Sequence, residues 1–231
     1  MSRRKELPFI IIAAVLLAAV GGGIVLFRSR TEQMAAVSKA EPAASASPMA
    51  REIAPGADPP HFRGGAQASV VLEEFADFQC PSCAALTKEV KRIAPEFGDR
   101  LKIVYRNFPL TSMHKNALDA ARAAEAAGMQ GRFWEMHDLL YDAQPRWAEA
   151  DDARAIFAEY ARTLRLDVER FRRDMDGQIV NARIMADMQR GRSLGVVGTP
   201  TVFIDGKEIP YQMTTADSLR TIIKNRLGEK R

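Results

Sequence analysis

The two cysteines of this 231-residue chain stand three apart, in Cys80-Pro81-Ser82-Cys83. Their flanks constrain the fold. Before them runs an apolar, β-prone stretch, Val70-Val71-Leu72-Glu73-Glu74-Phe75, and after them Leu86, Val90, Ile93 and Phe97 recur at helical spacing. The pair therefore falls where a strand ends and a helix begins. On a first helical turn, residues i and i+3 face the same way, so a disulfide can close there. Once it opens, one thiol lies against the free N–H groups of the helix start. Those groups and the helix dipole favour a thiolate at lower pH than in a free cysteine. Pro81 suits the first helical position, where no N–H is needed.

Two plainer roles compete with a redox pair. Zinc takes four ligands. The chain has no third cysteine, and His61, His114 and His137 are not at zinc-finger spacing. A purely structural bridge would close so short a loop that it removes little chain entropy. The strand-to-helix setting favours a redox pair over both.

Charge gives no reason to expect a nucleic-acid partner. The net charge of +4 is spread, half on residues 1–60 and half on residues 61–231. The globular part is close to neutral. The first 30 residues read as a membrane anchor. Arg3, Arg4 and Lys5 precede an uncharged run from Leu7 to Phe27. At 1.5 Å per residue that run spans roughly 31 Å, about one hydrocarbon core. A cleaved signal peptide is the rival, although its apolar region is usually about 7–15 residues. Either carries the rest of the chain across a membrane, where disulfides persist. Residues 31–60, rich in Ala, Ser and Pro, read as a disordered linker.

From residue 61 a folded domain is expected. Val70–Ala76 is a strand and Pro81–Phe97 a helix stopped by Gly98, with Pro95 expected to kink or shorten its last turn. Residues 101–106 form a second strand, parallel to the first by βαβ logic. Helices then succeed one another over residues 115–127, 133–141, 151–164, 167–175 and 178–194. Their methionines and large apolar residues, Ile179, Met185 and Met188 among them, read as core packing. His114 and His137 read as neutral structural histidines. Thr201–Ile204 is a β-branched strand, Asp205-Gly206 a two-residue hairpin turn, and residues 207–210 return antiparallel. Thr214 or Thr215 caps a last helix that buries Leu219, Ile222, Ile223 and Leu227.

This order resembles the thioredoxin fold, and more closely its DsbA-like branch, in which an all-helical insertion separates the βαβ and ββα halves. Phe75-Ala76-Asp77-Phe78-Gln79-Cys80-Pro81-Ser82-Cys83 is similar to the active-site segment of that branch. Asn107-Phe108-Pro109-Leu110 with His114-Lys115-Asn116-Ala117 resembles the lead into its insertion, here about residues 112–194. Val197-Gly198-Thr199-Pro200-Thr201 resembles its cis-proline loop. The resemblance covers residues 62–228 of an α/β domain that one transmembrane helix precedes.

The resemblance implies roles for single residues. Cys80 would be the attacking thiol and Cys83 the resolving one. Pro200 would be the cis-proline, turning the Thr199 backbone toward an extended substrate, with Pro81 and Ser82 beside it. Glu74, six residues before Cys80, matches the family's buried acid, and strand alternation puts it on one face with Val70, Leu72 and Ala76. Pro-Ser between the cysteines lacks the histidine of the strongest oxidants, which places the Cys80 pKa mid-range among such thiols. The resemblance implies a disulfide-forming oxidoreductase at the bacterial inner membrane, with its domain on the extracytoplasmic side. No metal or other cofactor is implied. Its partners would be cysteine-containing exported proteins and a membrane redox protein. A reductase or cytochrome-maturation factor, or a non-catalytic tethered peptide-binding module, stands as the alternative.

Overall fold

The computed structural model describes residues 53–229. The expected transmembrane helix and most of the expected linker lie outside the described residues. Among the described residues no helix is long and apolar enough to cross a membrane.

The β-prone run after residue 69 forms β2, Val70–Ala76, and the second run forms β3, Leu101–Asn107. They pair in parallel, Val70 with Leu101 through Ala76 with Asn107. Helix α1, Pro81–Phe97, makes the crossover. It passes Pro95 and reaches Phe97, so the expected shortening does not occur. A proline there forfeits only its own N–H, toward the half-exposed Lys91 turn. Strand β4, Thr201–Ile204, pairs antiparallel with β2, and β5, Lys207–Ile209, pairs with β4. Asp205 and Gly206 join them with φ of 49° and 76°, the left-handed pair such a tight turn requires. Strand β1, His61–Gly64, which the sequence did not announce, lies antiparallel on the outer side of β3. The five strands run β1-β3-β2-β4-β5.

Alternation along the strands sorts the two faces. Val70, Leu72 and Ile103 pack with Leu86, Val90 and Ile93 of α1 and with Leu219 and Ile223 of the last helix, α8, Ala216–Arg226. Phe75 turns the other way, toward Phe108, Val196 and Phe203.

Between β3 and β4 lies the helical insertion. It comprises α2 Ala117–Gly128, α3 Phe133–Asp142, α4 Gln144–Trp147, α5 Ala153–Thr163, α6 Val168–Met175 and α7 Gln178–Ser193. Buried alanines of α2 form its centre, packed with Trp147, Phe157 and Phe171. Asp152, Asp167 and Thr215 cap α5, α6 and α8, each side chain accepting a backbone N–H. The core reading of two α7 residues is corrected: Ile179 and Met185 are exposed, while Val180, Ile184, Asp187 and Gly191 face inward. The apolar residues of α7 do not share one face, so composition pointed to the wrong side.

The domain also begins earlier than residue 61. Residues 54–60, expected to be linker, lie along α7. Ala54 N donates to Ser193 Oγ and Ala57 N to Asp187 Oδ1. Arg190 donates to the Ala54 carbonyl, Arg106 to that of Ala57 and Arg183 to that of Pro59. Proline content argued against regular structure here, and there is none. What fixes the segment is a set of arginines far away in sequence.

Candidate active site

The end of β2 and the start of α1 bring the cysteines to the edge of the sheet. Cys80 precedes the helix with extended backbone, φ −71° and ψ 122°, and Pro81 takes the first helical position. Both cysteines are free thiols. Cys80 retains 7% exposure and Cys83 none. The loop between α7 and β4 reaches over them: the Cys80 thiol donates to the Thr199 carbonyl at 3.5 Å. The Thr199–Pro200 bond is cis, as the resemblance implied. Beside it, Val197 is 93% exposed and gives this rim an open apolar surface.

The two thiols are driven apart electrostatically. A hydrogen bond from the Cys83 thiol, with the Cys83 and Ser82 amides and the Thr199 side chain, outweighs burial and brings Cys80 down to about 5. The backbone share of this is the helix-start effect read from the sequence; the larger share comes from Cys83 itself. Burial first, then the hydrogen bond given to Cys80 and the nearby Glu74 charge, pushes Cys83 well above a free thiol. One sulfur is thus an anion at neutral pH that keeps a little surface, and the other a fully buried proton donor.

Glu74 lies on the same face of β2 as Val70 and Leu72, with 4% exposure. Burial, reinforced by the negative charge of Cys80, raises its carboxyl to about 8. It therefore keeps a proton at neutral pH, next to the buried thiol.

The insertion holds the active-site segment from outside, through residues that sequence reading did not single out. The Asp77 carboxylate, fully buried, accepts from the Gln79 and Leu110 amides and from His114 Nδ1 at 2.7 Å. Gln144 donates to the Phe78 and Cys80 carbonyls. Gln79 bridges the Ala148 carbonyl and the Asn116 amide. His114 thus anchors this loop. His137 is buried among aromatic rings, and burial lowers it to about 4, so it is neutral at physiological pH. The signal for Asp77 and Gln79 was present only as polar residues in a largely apolar run, and Gln144, between Asp142 and Arg146, gave none. Among the described residues no three His, Cys, Asp or Glu side chains converge to hold a metal ion.

A dithiol at a strand-to-helix junction, under a Thr-Pro loop and on a sheet of this order, places the molecule among thioredoxin-fold proteins. The family model described as Thioredoxin matches residues 57–225, and the chain belongs to that family. A thioredoxin-like oxidoreductase from Silicibacter pomeroyi superposes with a TM-score of 0.63 at 27% identity, over 75% of this chain and 95% of that one. The thiol-disulfide exchange protein alpha-DsbA2 from Wolbachia pipientis gives a TM-score of 0.60 at 19% identity, over 72% of this chain and 86% of that one, a likeness of fold. In sequence, the chain is 40% identical over 150 residues to the Na(+)/H(+) antiporter NhaA 1 of Salinispora arenicola, across 65% of this chain and 22% of the relative. The chain spans about a quarter of the length of the curated relatives it matches.

Proposed function

We propose that this protein is an extracytoplasmic thiol–disulfide oxidoreductase that forms disulfides in exported proteins through Cys80 and Cys83. The observation that carries this reading is the placement of the two thiols: Cys80 at the helix start against the Thr199 carbonyl and Cys83 fully buried behind it. This placement brings Cys80 down to about 5 and pushes Cys83 well above a free thiol. An attacking sulfur must be accessible and a good leaving group, and a resolving sulfur must be shielded until needed. The names of the Silicibacter and Wolbachia structures, an oxidoreductase and a thiol-disulfide exchange protein, agree with it. Of the antiporter relatives only about a quarter is matched. We carry over from them an attachment to membrane proteins and no ion transport.

In the oxidised enzyme a substrate thiolate attacks Cys80 Sγ. The Cys80–Cys83 bond breaks, its electron pair goes to Cys83, and a mixed disulfide joins substrate to Cys80. Glu74, protonated below about 8, supplies the proton that neutralises Cys83 in its buried site. A second substrate thiolate then attacks the substrate sulfur of the mixed disulfide. The product disulfide leaves, and Cys80 departs as a thiolate that the helix start and Cys83 stabilise. The Thr199 backbone and Pro200 hold the incoming peptide against Cys80, with Pro81 and Ser82 on the other side. A membrane redox partner takes the two electrons back. An N-terminal anchor at the bacterial inner membrane keeps the domain near it.

Stabilising the Cys80 thiolate stabilises the reduced enzyme, which makes the disulfide an oxidant. The sign is fixed by the shift. Cys80 is ionised in the folded reduced protein down to about 5, while an unfolded cysteine ionises near 9. The reduced fold therefore holds its full advantage above about 9 and loses it as pH falls toward 5. Thiolate absorbance near 240 nm should titrate at about 5, and equilibration with glutathione should give a potential above thioredoxin's. A titration near the free value with a thioredoxin-like potential would favour the reductase. For the thiol assignment, Cys83→Ala should accumulate mixed disulfides on Cys80, and Cys80→Ala should trap far fewer. Equal trapping would overturn the roles given to the two sulfurs. The wild type should turn over insulin, and an absence of turnover would favour the non-catalytic peptide-binding module.

A further inference from the structure

Behind the redox pair, on the α1 face of the sheet, lies a cavity of about 270 Å³. It runs between α1, α3 and the β1–β3 edge. Gly64, Gly98 and Asp99, all exposed, mark its mouth at the far end of α1, and Glu74 and His137 mark its inner end. Val90, Ile103, Tyr105 and Trp134 make its walls apolar. The mouth and the Thr199–Pro200 rim lie at opposite ends of β2, so this space is separate from the surface that faces Cys80.

Two polar groups in this cavity are left over. Glu74 Oε1 and Thr87 Oγ1 are both buried and, among the described residues, have no hydrogen-bond partner. Their residues keep only 4% and 5% exposure. Most buried polar groups are bonded, and an unbonded one costs roughly 1–3 kcal/mol. Here two of them line one apolar space of a size close to that of small-molecule sites, which begin at about 300 Å³.

The donor and acceptor inventory sets the chemistry of an occupant. Glu74 keeps its proton to about 8, so at neutral pH it offers an O–H, and Thr87 offers a second. Two donors call for one acceptor oxygen. The aromatic and aliphatic walls call for an apolar body. The cations near the mouth, Arg63 and Lys91, are both engaged by Asp138, at 2.6 and 3.2 Å. Among the described residues no cation of the lining is left unpaired for an anionic ligand, and burying any charge against these walls would be costly.

We propose that this cavity binds a small neutral carbonyl compound with a flat apolar body, its oxygen held by Glu74 and Thr87. Binding needs neither turnover nor either thiol, so a protein without oxidoreductase activity would still show it.

Acetophenone and ethylbenzene form a matched pair of probes, differing in the oxygen. They are titrated by NMR into the full chain in lipid nanodiscs, following the Trp134 indole N–H and the Val90 and Ile103 methyls. The expected result is a saturable shift at all three, with acetophenone at least tenfold tighter than ethylbenzene. Glu74→Gln, which keeps a donor, should retain that preference, and Glu74→Leu should bring the two probes within about twofold. Ala94→Trp, which fills the cavity from α1, should abolish both shifts. The proposal fails if neither probe shifts these groups saturably in the wild type. It fails equally if ethylbenzene binds as tightly as acetophenone, or if a folded Glu74→Leu keeps the tenfold preference.

Discussion

Glu73 and Glu74 are neighbours in β2, both buried, and they behave oppositely. Strand alternation sends them to opposite faces of the sheet. On its face Glu73 meets two guanidinium groups: Arg106 at 2.8 Å, and Arg190, which binds both carboxylate oxygens at 2.7 and 2.8 Å. Burial pushes the Glu73 carboxyl up, but the two arginines outweigh it and hold it below the usual range. Among the described residues no cation pairs with Glu74, and burial, reinforced by the Cys80 charge, carries it to about 8. The same side chain, buried on either face, is a fixed anion on one side and keeps its proton at neutral pH on the other. Burial by itself does not say which role a carboxylate plays; its partners do.

The largest effect that could break this comparison is expected at Glu73. Glu73→Gln leaves Arg190 without a carboxylate partner and Arg106 with that of Asp187 alone. Removing one member of a buried charged network typically costs about 3–5 kcal/mol. Urea unfolding should show that loss, while the Cys80 titration stays where it is. A loss below about 1 kcal/mol would mean that the pairing contributes little.

Glu74→Gln should act in the other direction. An unfolded glutamate ionises near 4.5, and folded Glu74 keeps its proton to about 8. Between those values the unfolded chain has released a proton that the fold retains, so the wild type loses stability as pH rises from 4.5 to 8. Glutamine removes that penalty. The variant should match the wild type near pH 4 and exceed it by about 2–4 kcal/mol at pH 8. Reduction of its Cys80–Cys83 disulfide by a substrate thiol should be slower, because the proton for Cys83 is missing. Stability curves that stay parallel across this pH range would contradict the reading of Glu74 as protonated at neutral pH.

The smallest effect sharpens the comparison from outside it. Asp167 is an exposed N-cap, bonded to the Arg170 amide. Asp167→Ala should cost about 1 kcal/mol at neutral pH. It should leave the pH behaviour of both β2 carboxylates unchanged.

Local signals carried most of what the sequence told. The cysteine spacing, the Asp205-Gly206 turn and the caps at Asp167 and Thr215 each act within a few residues, and the structure places them as read. Strand alternation put Glu74 on the face with Val70 and Leu72, and its burial agrees. What was not legible depends on partners far along the chain. Strand β1 has only four residues and no clear alternation; it exists because β3 offers an edge. Nothing near Glu73 in the sequence announced Arg190, 117 positions away, which closes on it. Asp77 and Gln144 gave no sign that one would hold the active-site loop from within and the other from the insertion.

The segment from Ala54 to Pro59 has a mechanical consequence. Its hydrogen bonds go to Ser193, Arg190, Asp187 and Arg183 on α7, and to Arg106 on β3. A pull on Ala54 is therefore borne mostly by α7, spread over more than two of its turns, with a share passing through Arg106 to β3. The same helix runs out into residues 194–200, which carry Thr199 to Cys80. The segment ahead of β1 and the loop over Cys80 meet in a single rod, one strapped along its side and the other leaving from its end.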